Sequence, residues 1–123
     1  MSLKLKAVHR LILRSVVDSD GKSGNHSLSD LNKMLKLLDL VSFSEEETKR
    51  LNIRLDNGAV RWDTRLGGAP DGEEVDLEKE LEISDEQKDL LKEIIKRKND
   101  AKEFSLSEAT PVTDVASQLG LEL

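Results

Sequence analysis

The chain contains no cysteine, few aromatic residues and no long apolar run. The lack of cysteine excludes a disulfide framework, thiolate chemistry and a cysteine-ligated zinc site. The only aromatic residues are Phe43, Trp62 and Phe104, so the core must consist of leucine, isoleucine and valine. No segment approaches the roughly 18 apolar residues of a membrane-spanning helix. Arg10 and Arg14 interrupt the first apolar segment, which disfavours a secretory signal. We therefore expect a cytoplasmic protein with no membrane partner.

Charge is what the chain has in excess. Charged residues make up 36% of its 123 residues, and the net charge is −6. The apolar residues are patterned strongly enough to exclude a disordered chain, and the length fits one domain. Residues 1–65 carry 12 Lys/Arg and 9 Asp/Glu, whereas residues 66–123 carry 7 and 16. Because an acidic half repels phosphates, nucleic acid is a disfavoured partner.

Five segments carry helical spacing of apolar residues or helix-capping signals. Ser27, Ser44 and Ser84 each stand at an expected N-cap. Glu47 and Gln87 follow the second and third of these serines by three residues, which is the pattern of a capping box. The predicted helices are residues 6–17, 28–41, 45–51, 85–103 and a last one that begins at Thr110-Pro111 and stops at Gly120. In the second helix the apolar stripe consists of Leu28, Leu31, Leu35 and Leu38, with Met34, Leu37 and Val41 beside it. The segments 18–27 and 64–74, rich in turn-forming residues, are predicted to be flexible connections within a single domain.

Asn57-Gly58 is the strongest local signal in the chain. Both positions accept a positive φ at little cost, so the dipeptide predicts a two-residue turn inside a hairpin of residues 52–63. The turn pairs Asp56 with Ala59 and therefore sets the register of the strands. Since side chains alternate between the faces of a strand, one face is apolar and predicted to be buried on helices, and the other is charged. The apolar face consists of Ile53, Leu55, Val60 and Trp62, and the charged face carries Arg54 and Arg61.

Residues 75–83 allow two interpretations. Apolar residues alternate there with acidic ones, a period of two that favours a strand and is broken only by Lys79. A third strand beside the hairpin would place an acidic row next to Arg54 and Arg61. The alternative is a helix with Leu77 and Leu81 one turn apart, because Glu, Lys and Leu favour helix. With the strand preferred, the fold class is α+β: four or five helices packed on a small antiparallel sheet of two or three strands, centred on the 52–63 hairpin.

The loop after the first helix has features of two ligand-binding loops but the full pattern of neither. Asp18 and Asp20 suit a calcium loop, but the central glycine and the closing glutamate of such a loop are missing. Gly21-Lys22-Ser23 is typical of the end of a phosphate-binding loop, but Val16 stands where that motif needs its first glycine. A solvated connecting loop is the better interpretation.

The sequence contains no constellation for catalysis or metal binding. His9 and His26 are the only histidines, and their spacing requires no shared metal. No serine lies in a nucleophile-elbow motif. A hydrolase or metal enzyme that uses the acidic residues is the least favoured option. We expect no catalytic residue, no metal and no cofactor, and hence a protein that is not an enzyme.

Three predicted helices followed by a hairpin is the element order of a winged helix-turn-helix protein. In that interpretation Arg54, Arg61 and Arg65 lie on the wing. The predicted recognition helix opens with three glutamates from Glu45, which would meet phosphates, so nucleic acid binding is disfavoured. Trp62 is either a core anchor of the hairpin or a platform for a ligand. The candidate interaction residues are Arg54, Arg61, Arg65 and Trp62.

Four stretches between residues 7 and 63 stand out together. They are Val8-His9-Arg10-Leu11-Ile12-Leu13, Phe43-Ser44-Glu45-Glu46-Glu47, Leu51-Asn52 and Gly58-x-Val60-x-Trp62-Asp63. In these stretches the chain resembles small uncharacterised proteins encoded in bacteriophage and prophage genomes. The resemblance implies at most an accessory role in a phage programme and carries over no activity. We expect a non-enzymatic protein that binds another protein or itself. The alternative is a winged-helix-like regulator that binds nucleic acid through the 52–63 hairpin.

Overall fold

A computed structural model describes all residues of the chain, from Met1 to Leu123. It contains five helices and two separate two-stranded antiparallel sheets, which confirms the predicted α+β class. The strands are β1 (Ser2–Leu5), β2 (Arg54–Asp56), β3 (Ala59–Arg61) and β4 (Lys79–Glu82). The helices are α1 (Ala7–Gly21), α2 (Leu28–Val41), α3 (Glu45–Leu51), α4 (Asp85–Asp100) and α5 (Ala109–Leu119). The chain forms two compact units, one of residues 1–42 with 79–123 and one of residues 43–78, so the second unit is inserted into the first.

β1 and β4 form the sheet of the first unit. They pair antiparallel, with Leu3 opposite Leu81 and Lys4 opposite Glu80. The strand predicted within residues 75–83 is therefore confirmed for residues 79–82, but its predicted place beside the hairpin is wrong. Opposite charges across a strand pair are favourable, and the residue in register with Glu80 is Lys4, not one of the hairpin arginines.

The core of the first unit consists almost entirely of leucine, isoleucine and valine. Leu5, Ile94 and Ile95 have no exposed surface. Helix α4 buries two successive isoleucines because its apolar residues cover a broad face, and α5 adds Val112, Val115 and Leu119 to the same cluster. Phe104 packs against the edge of the cluster, and the other two aromatic residues lie in the second unit.

Helix α1 continues to Gly21, four residues beyond its predicted end at residue 17. The segment predicted as a loop from residue 18 is thus helical over its first four residues. A long-range ion pair stabilises this extension. The Asp20 side chain is only 6% exposed, and its carboxylate accepts two hydrogen bonds from Arg97 of α4. A partner 77 residues away compensates for the low helix propensity of aspartate.

Both ends of α2 are anchored by side chains. At the N-terminus, the Ser27 hydroxyl accepts a hydrogen bond from the Asp30 N–H at 3.1 Å, as predicted. At the C-terminus, the buried guanidinium of Arg10 donates from Nε to the Val41 carbonyl at 3.2 Å and from Nη2 to the Ser42 carbonyl. The last carbonyls of a helix have no partner within the helix, so Arg10 satisfies groups that would otherwise be unpaired in the interior.

The remaining helix signals in the first unit are confirmed with small shifts of boundary. The Ser84–Gln87 capping box begins α4, with hydrogen bonds of 3.1 and 2.9 Å. The helix ends at Asp100, three residues before its predicted end, and Lys102 follows with a φ of 57°. A 3-10 turn over residues 106–108 leads into α5, which starts at Ala109 rather than at the predicted Thr110 cap.

In the second unit, the hairpin has the predicted turn but not the predicted burial. Asn57 and Gly58 have φ values of 52° and 79°, and Leu55 lies opposite Val60 as the turn requires. The apolar face is open, however, because Leu55 is 78% exposed and Val60 44% exposed. Ile53 is half-buried. A two-residue turn sets register by local geometry alone, so a correct register does not imply that a helix covers the face.

The segment of residues 64–74 closes on itself through backbone hydrogen bonds. The Leu66 N–H donates to the Glu73 carbonyl at 2.8 Å, and the Val75 N–H donates to the Thr64 carbonyl at 2.9 Å. A 3-10 turn at residues 66–68 lies inside the segment that these hydrogen bonds close. At the other end of the unit, the predicted Ser44 capping box begins α3, with two hydrogen bonds of 3.1 Å.

Candidate interaction surfaces

Helix α2 has a wider apolar surface than the core uses. Successive helical residues are about 100° apart, so its apolar side chains span an arc of about 240°, against the arc of roughly 100° or more typical of a surface helix. One part of this arc faces the core, where Met34, Leu37 and Val41 are buried and Leu40 packs against the core cluster. The other part is open at Leu28 and Leu35, whereas its Leu31 and Leu38 side chains also touch the edge of the core cluster. We call its members the leucine face: Leu28, which is 78% exposed, Leu35, which is 61% exposed, and Leu31 and Leu38, which are half-buried.

A groove of about 300 Å³ runs beside the leucine face, between α1 and α2. Leu31, Leu35 and Leu38 line it from α2, and Val17 lines it from α1. At its rim, Lys22 Nζ lies 3.0 Å from an Asp18 carboxylate oxygen, so these two charges compensate each other. The result is an apolar cleft of the size that accepts side chains of another molecule.

The three arginines singled out from the sequence are bound to groups of their own unit. Arg54 Nη1 lies 3.2 Å from Asp63 Oδ1, and Arg61 Nε lies 3.3 Å from Asp56 Oδ2. Arg65 Nη1 donates to a backbone carbonyl of the loop after β3 at 2.9 Å. Because two of the three charges are compensated by neighbouring aspartates, the field that the hairpin presents to a phosphate is weakened.

Trp62 is half-buried, and its ring nitrogen has a partner. Its Nε1 donates to Asp76 Oδ2 at 3.3 Å, and the Asp76 residue is only 8% exposed. A tryptophan with a buried body and a bonded N–H has the arrangement typical of an anchor. The exposed apolar side chains of the hairpin are instead Leu55 and Val60, which face each other across the strands.

A polar cavity of about 190 Å³ lies where the loop after α1 meets α4. Arg97 donates from Nε and Nη2 to the two carboxylate oxygens of Asp20, at 3.1 and 2.8 Å. This pair of hydrogen bonds is the main cause of a raised pKa for the Arg97 guanidinium. The buried ammonium of Lys98 lies 3.4 Å from Ser19 Oγ and 3.6 Å from Glu103 on another wall of the cavity. The sequence did not indicate this cluster, because its members come from segments about 77 residues apart.

Ser23, His26 and Asp20 lie together in this cavity without forming a catalytic triad. In a triad, the serine and the aspartate bind opposite nitrogens of the imidazole. Here His26 Nε2 alone lies 3.3 Å from Ser23 Oγ, 3.2 Å from Asp20 Oδ2 and 2.8 Å from the Asp20 carbonyl oxygen. The imidazole therefore ties the loop of residues 22–27 to the end of α1, and Ser23 and Asp20 share one nitrogen instead of binding opposite ones.

The other histidine, His9, lies in the first turn of α1. Its Nδ1 accepts the Lys6 N–H at 3.1 Å, and its Nε2 lies 3.1 Å from Asp114 Oδ2. No three histidine, aspartate or glutamate side chains are grouped closely enough to hold a metal ion. None of the five helices combines the length and the apolar character that crossing a membrane requires. No protein-family model, curated protein or solved structure matches this chain.

Proposed function

We propose that the protein is a non-catalytic interaction protein whose leucine face binds a helical segment of a protein chain. The observation that carries the proposal is the exposure of Leu28 and Leu35, at 78% and 61%, on a helix that is anchored at both ends. Burying apolar surface is favourable by about 25 cal/mol per Å². Contiguous exposed apolar surface rimmed by polar residues is typical of interaction sites.

The spacing of the leucine face favours a helix as its partner. Its four leucines follow one another in steps of three, four and three residues, which keeps them on one side of α2. Anchors at this spacing are those of helix-in-groove recognition, and the groove between α1 and α2 runs along the same side. The phage or prophage setting stays a prediction from the resemblance.

Replacing Leu35 with lysine should weaken partner binding by at least about thirtyfold. A central interface side chain contributes about 2 kcal/mol or more, and each 1.4 kcal/mol is a factor of ten in affinity. The matched control is Leu106→Lys, because Leu106 is 93% exposed in the turn before α5 and lies outside the leucine face. The measurement is capture of crosslinked partner from native lysate by each variant, after circular dichroism has shown equal helix content. Capture that is equal for Leu35→Lys and the wild type would contradict the proposal.

The order of three helices and a hairpin carries a second candidate, nucleic acid binding through β2 and β3. We expect only negligible binding of a fluorescent DNA duplex even at about 50 mM salt, because neighbouring aspartates compensate the Arg54 and Arg61 charges that would displace counterions. The variant Arg54→Glu with Arg61→Glu tests the candidate, and Lys96→Glu, an exposed change on α4, is its control. Duplex binding that falls with salt and is lost only in the hairpin variant would replace the proposal with this candidate.

A further inference from the structure

We infer that the helix bound by the leucine face is α2 of a second copy of this chain, arranged antiparallel about a two-fold axis. The inference rests on the proposed function and names its partner. A two-fold interface uses the same patch on both copies, so the patch must be complementary to itself. The leucine face meets this requirement in its spacing, its shape and its charge.

The spacing of the leucine face is the same in both chain directions. Its steps of three, four and three residues are symmetric about Lys33. An antiparallel copy that is centred there places Leu28 opposite Leu38 and Leu31 opposite Leu35. A partner with a different sequence would not require this symmetry.

The exposure of the four leucines matches the same pairing. Leu28 and Leu35 are the projecting members, at 78% and 61% exposed, whereas Leu31 and Leu38 are half-buried. In the antiparallel arrangement each projecting leucine meets a half-buried leucine of the other copy. In a parallel arrangement each residue would face its own copy, so projecting leucines would meet projecting leucines. Such a pair is less complementary in shape.

The charges at the ends of α2 also favour the antiparallel direction. Asp39 is exposed in the last turn of α2, where the helix dipole disfavours an acidic side chain. In an antiparallel pair this carboxylate lies beside the first turn of the other α2, where the dipole favours it. The leucine face contributes four residues to the interface, whereas each side of a standard interface contributes about 20. The dimer should therefore be weak and concentration-dependent.

Sedimentation equilibrium of the full chain tests the inference. We expect a monomer–dimer equilibrium for the wild type and for Leu106→Lys, and a monomer at every concentration for Leu35→Lys. The net charge of −6 makes the copies repel each other, so added salt should strengthen the dimer by screening. The inference would be overturned if the wild type stayed monomeric up to about 0.5 mM. That result would correspond to a dimerisation free energy weaker than about 4–5 kcal/mol.

Disulfide crosslinking tests the direction, because the chain has no cysteine of its own. In the antiparallel pair the two copies of residue 32 lie near the axis, whereas the two copies of residue 39 are about 18 Å apart at 1.5 Å per residue. Oxidation should therefore crosslink Asn32→Cys and leave Asp39→Cys uncrosslinked. Equal crosslinking of both variants, as in a parallel pair, would overturn the inference.

The two measurements also separate the inference from the proposed function. If the wild type is monomeric but capture of another protein still requires Leu35, the inference fails and the proposed function stands. If Leu35→Lys alters neither measurement, both fail.

Discussion

Replacing Leu5 with alanine is expected to lower the free energy of unfolding by about 2–5 kcal/mol, the range for a fully buried leucine. Leu5 has no exposed surface and ends β1, where it is held in register opposite Lys79 of β4. A strand fixed by its ladder cannot move inward to fill the space, so the deletion leaves a cavity. Urea unfolding followed by circular dichroism measures the change, and we expect the m-value to stay constant.

The matched control for this prediction is Lys4→Ala in the same strand. Lys4 is exposed and lies opposite Glu80, and such a cross-strand charge pair contributes about 0.2–1 kcal/mol. A loss in Leu5→Ala that is no larger than the loss in Lys4→Ala would show that residues 2–5 are not a core strand.

Arg10→Ala should cost about 2–4 kcal/mol of stability. The guanidinium is 3% exposed and donates to the carbonyls of Val41 and Ser42 at the end of α2. Its removal leaves buried carbonyl acceptors without a donor, and each unpaired acceptor costs about 1–3 kcal/mol. The substitution also deletes the packed aliphatic stem of the side chain. Thermal and urea unfolding of the purified variant measure the loss.

Arg14→Ala, one turn further along α1, is the control for Arg10. Arg14 is exposed, so its loss should stay within about 0.5 kcal/mol. Arg10→Lys should fall between the two, because an ammonium keeps the charge but not the fork that reaches two carbonyls. Equal stability of Arg10→Ala and Arg14→Ala would contradict the role of Arg10 in holding α2, and with it the anchoring of the leucine face.

The parts of the fold that the sequence predicted are those that depend on neighbours along the chain. The Asn57-Gly58 turn and the capping boxes at Ser44 and Ser84 involve groups within four residues of one another, so their geometry follows from local chemistry. Their outcome does not depend on how the rest of the chain packs. These features were all confirmed.

The parts that the sequence did not predict depend on distant partners. Leu3-Lys4-Leu5-Lys6 alternates strictly and could have been read as a strand, but its partner lies after residue 78 and no local signal names it. In the same way, Asp20 lies in the last turn of α1 and pairs with Arg97 of α4, a partner that no local pattern indicates. The open face of the hairpin was missed for the opposite reason, since alternation shows which side chains share a face but not whether anything covers it.

The sequence predicted an apolar face on α2 but not which part of it is exposed. The stripe from Leu28 to Leu38 was predicted as an apolar helix face, yet the residues beside it, Met34, Leu37 and Val41, form the buried part. An apolar arc of about 240° at 100° per residue has no unique inner side. The core that covers one part is supplied by α1 and α4, so only the tertiary structure separates the two parts.

The pairing of β1 with β4 also constrains how the protein is made. Ser2 and Glu82 are 80 residues apart, and at about 5–20 residues per second the ribosome needs several seconds to synthesise the chain between them. During that time Leu3 and Leu5 have no strand to pair with, while residues 43–78 already contain every partner that the α3 cap and the hairpin need. The contacts within the second unit can therefore form before the β1–β4 sheet does, and the first strand stays without its partner strand until residues 79–82 are synthesised.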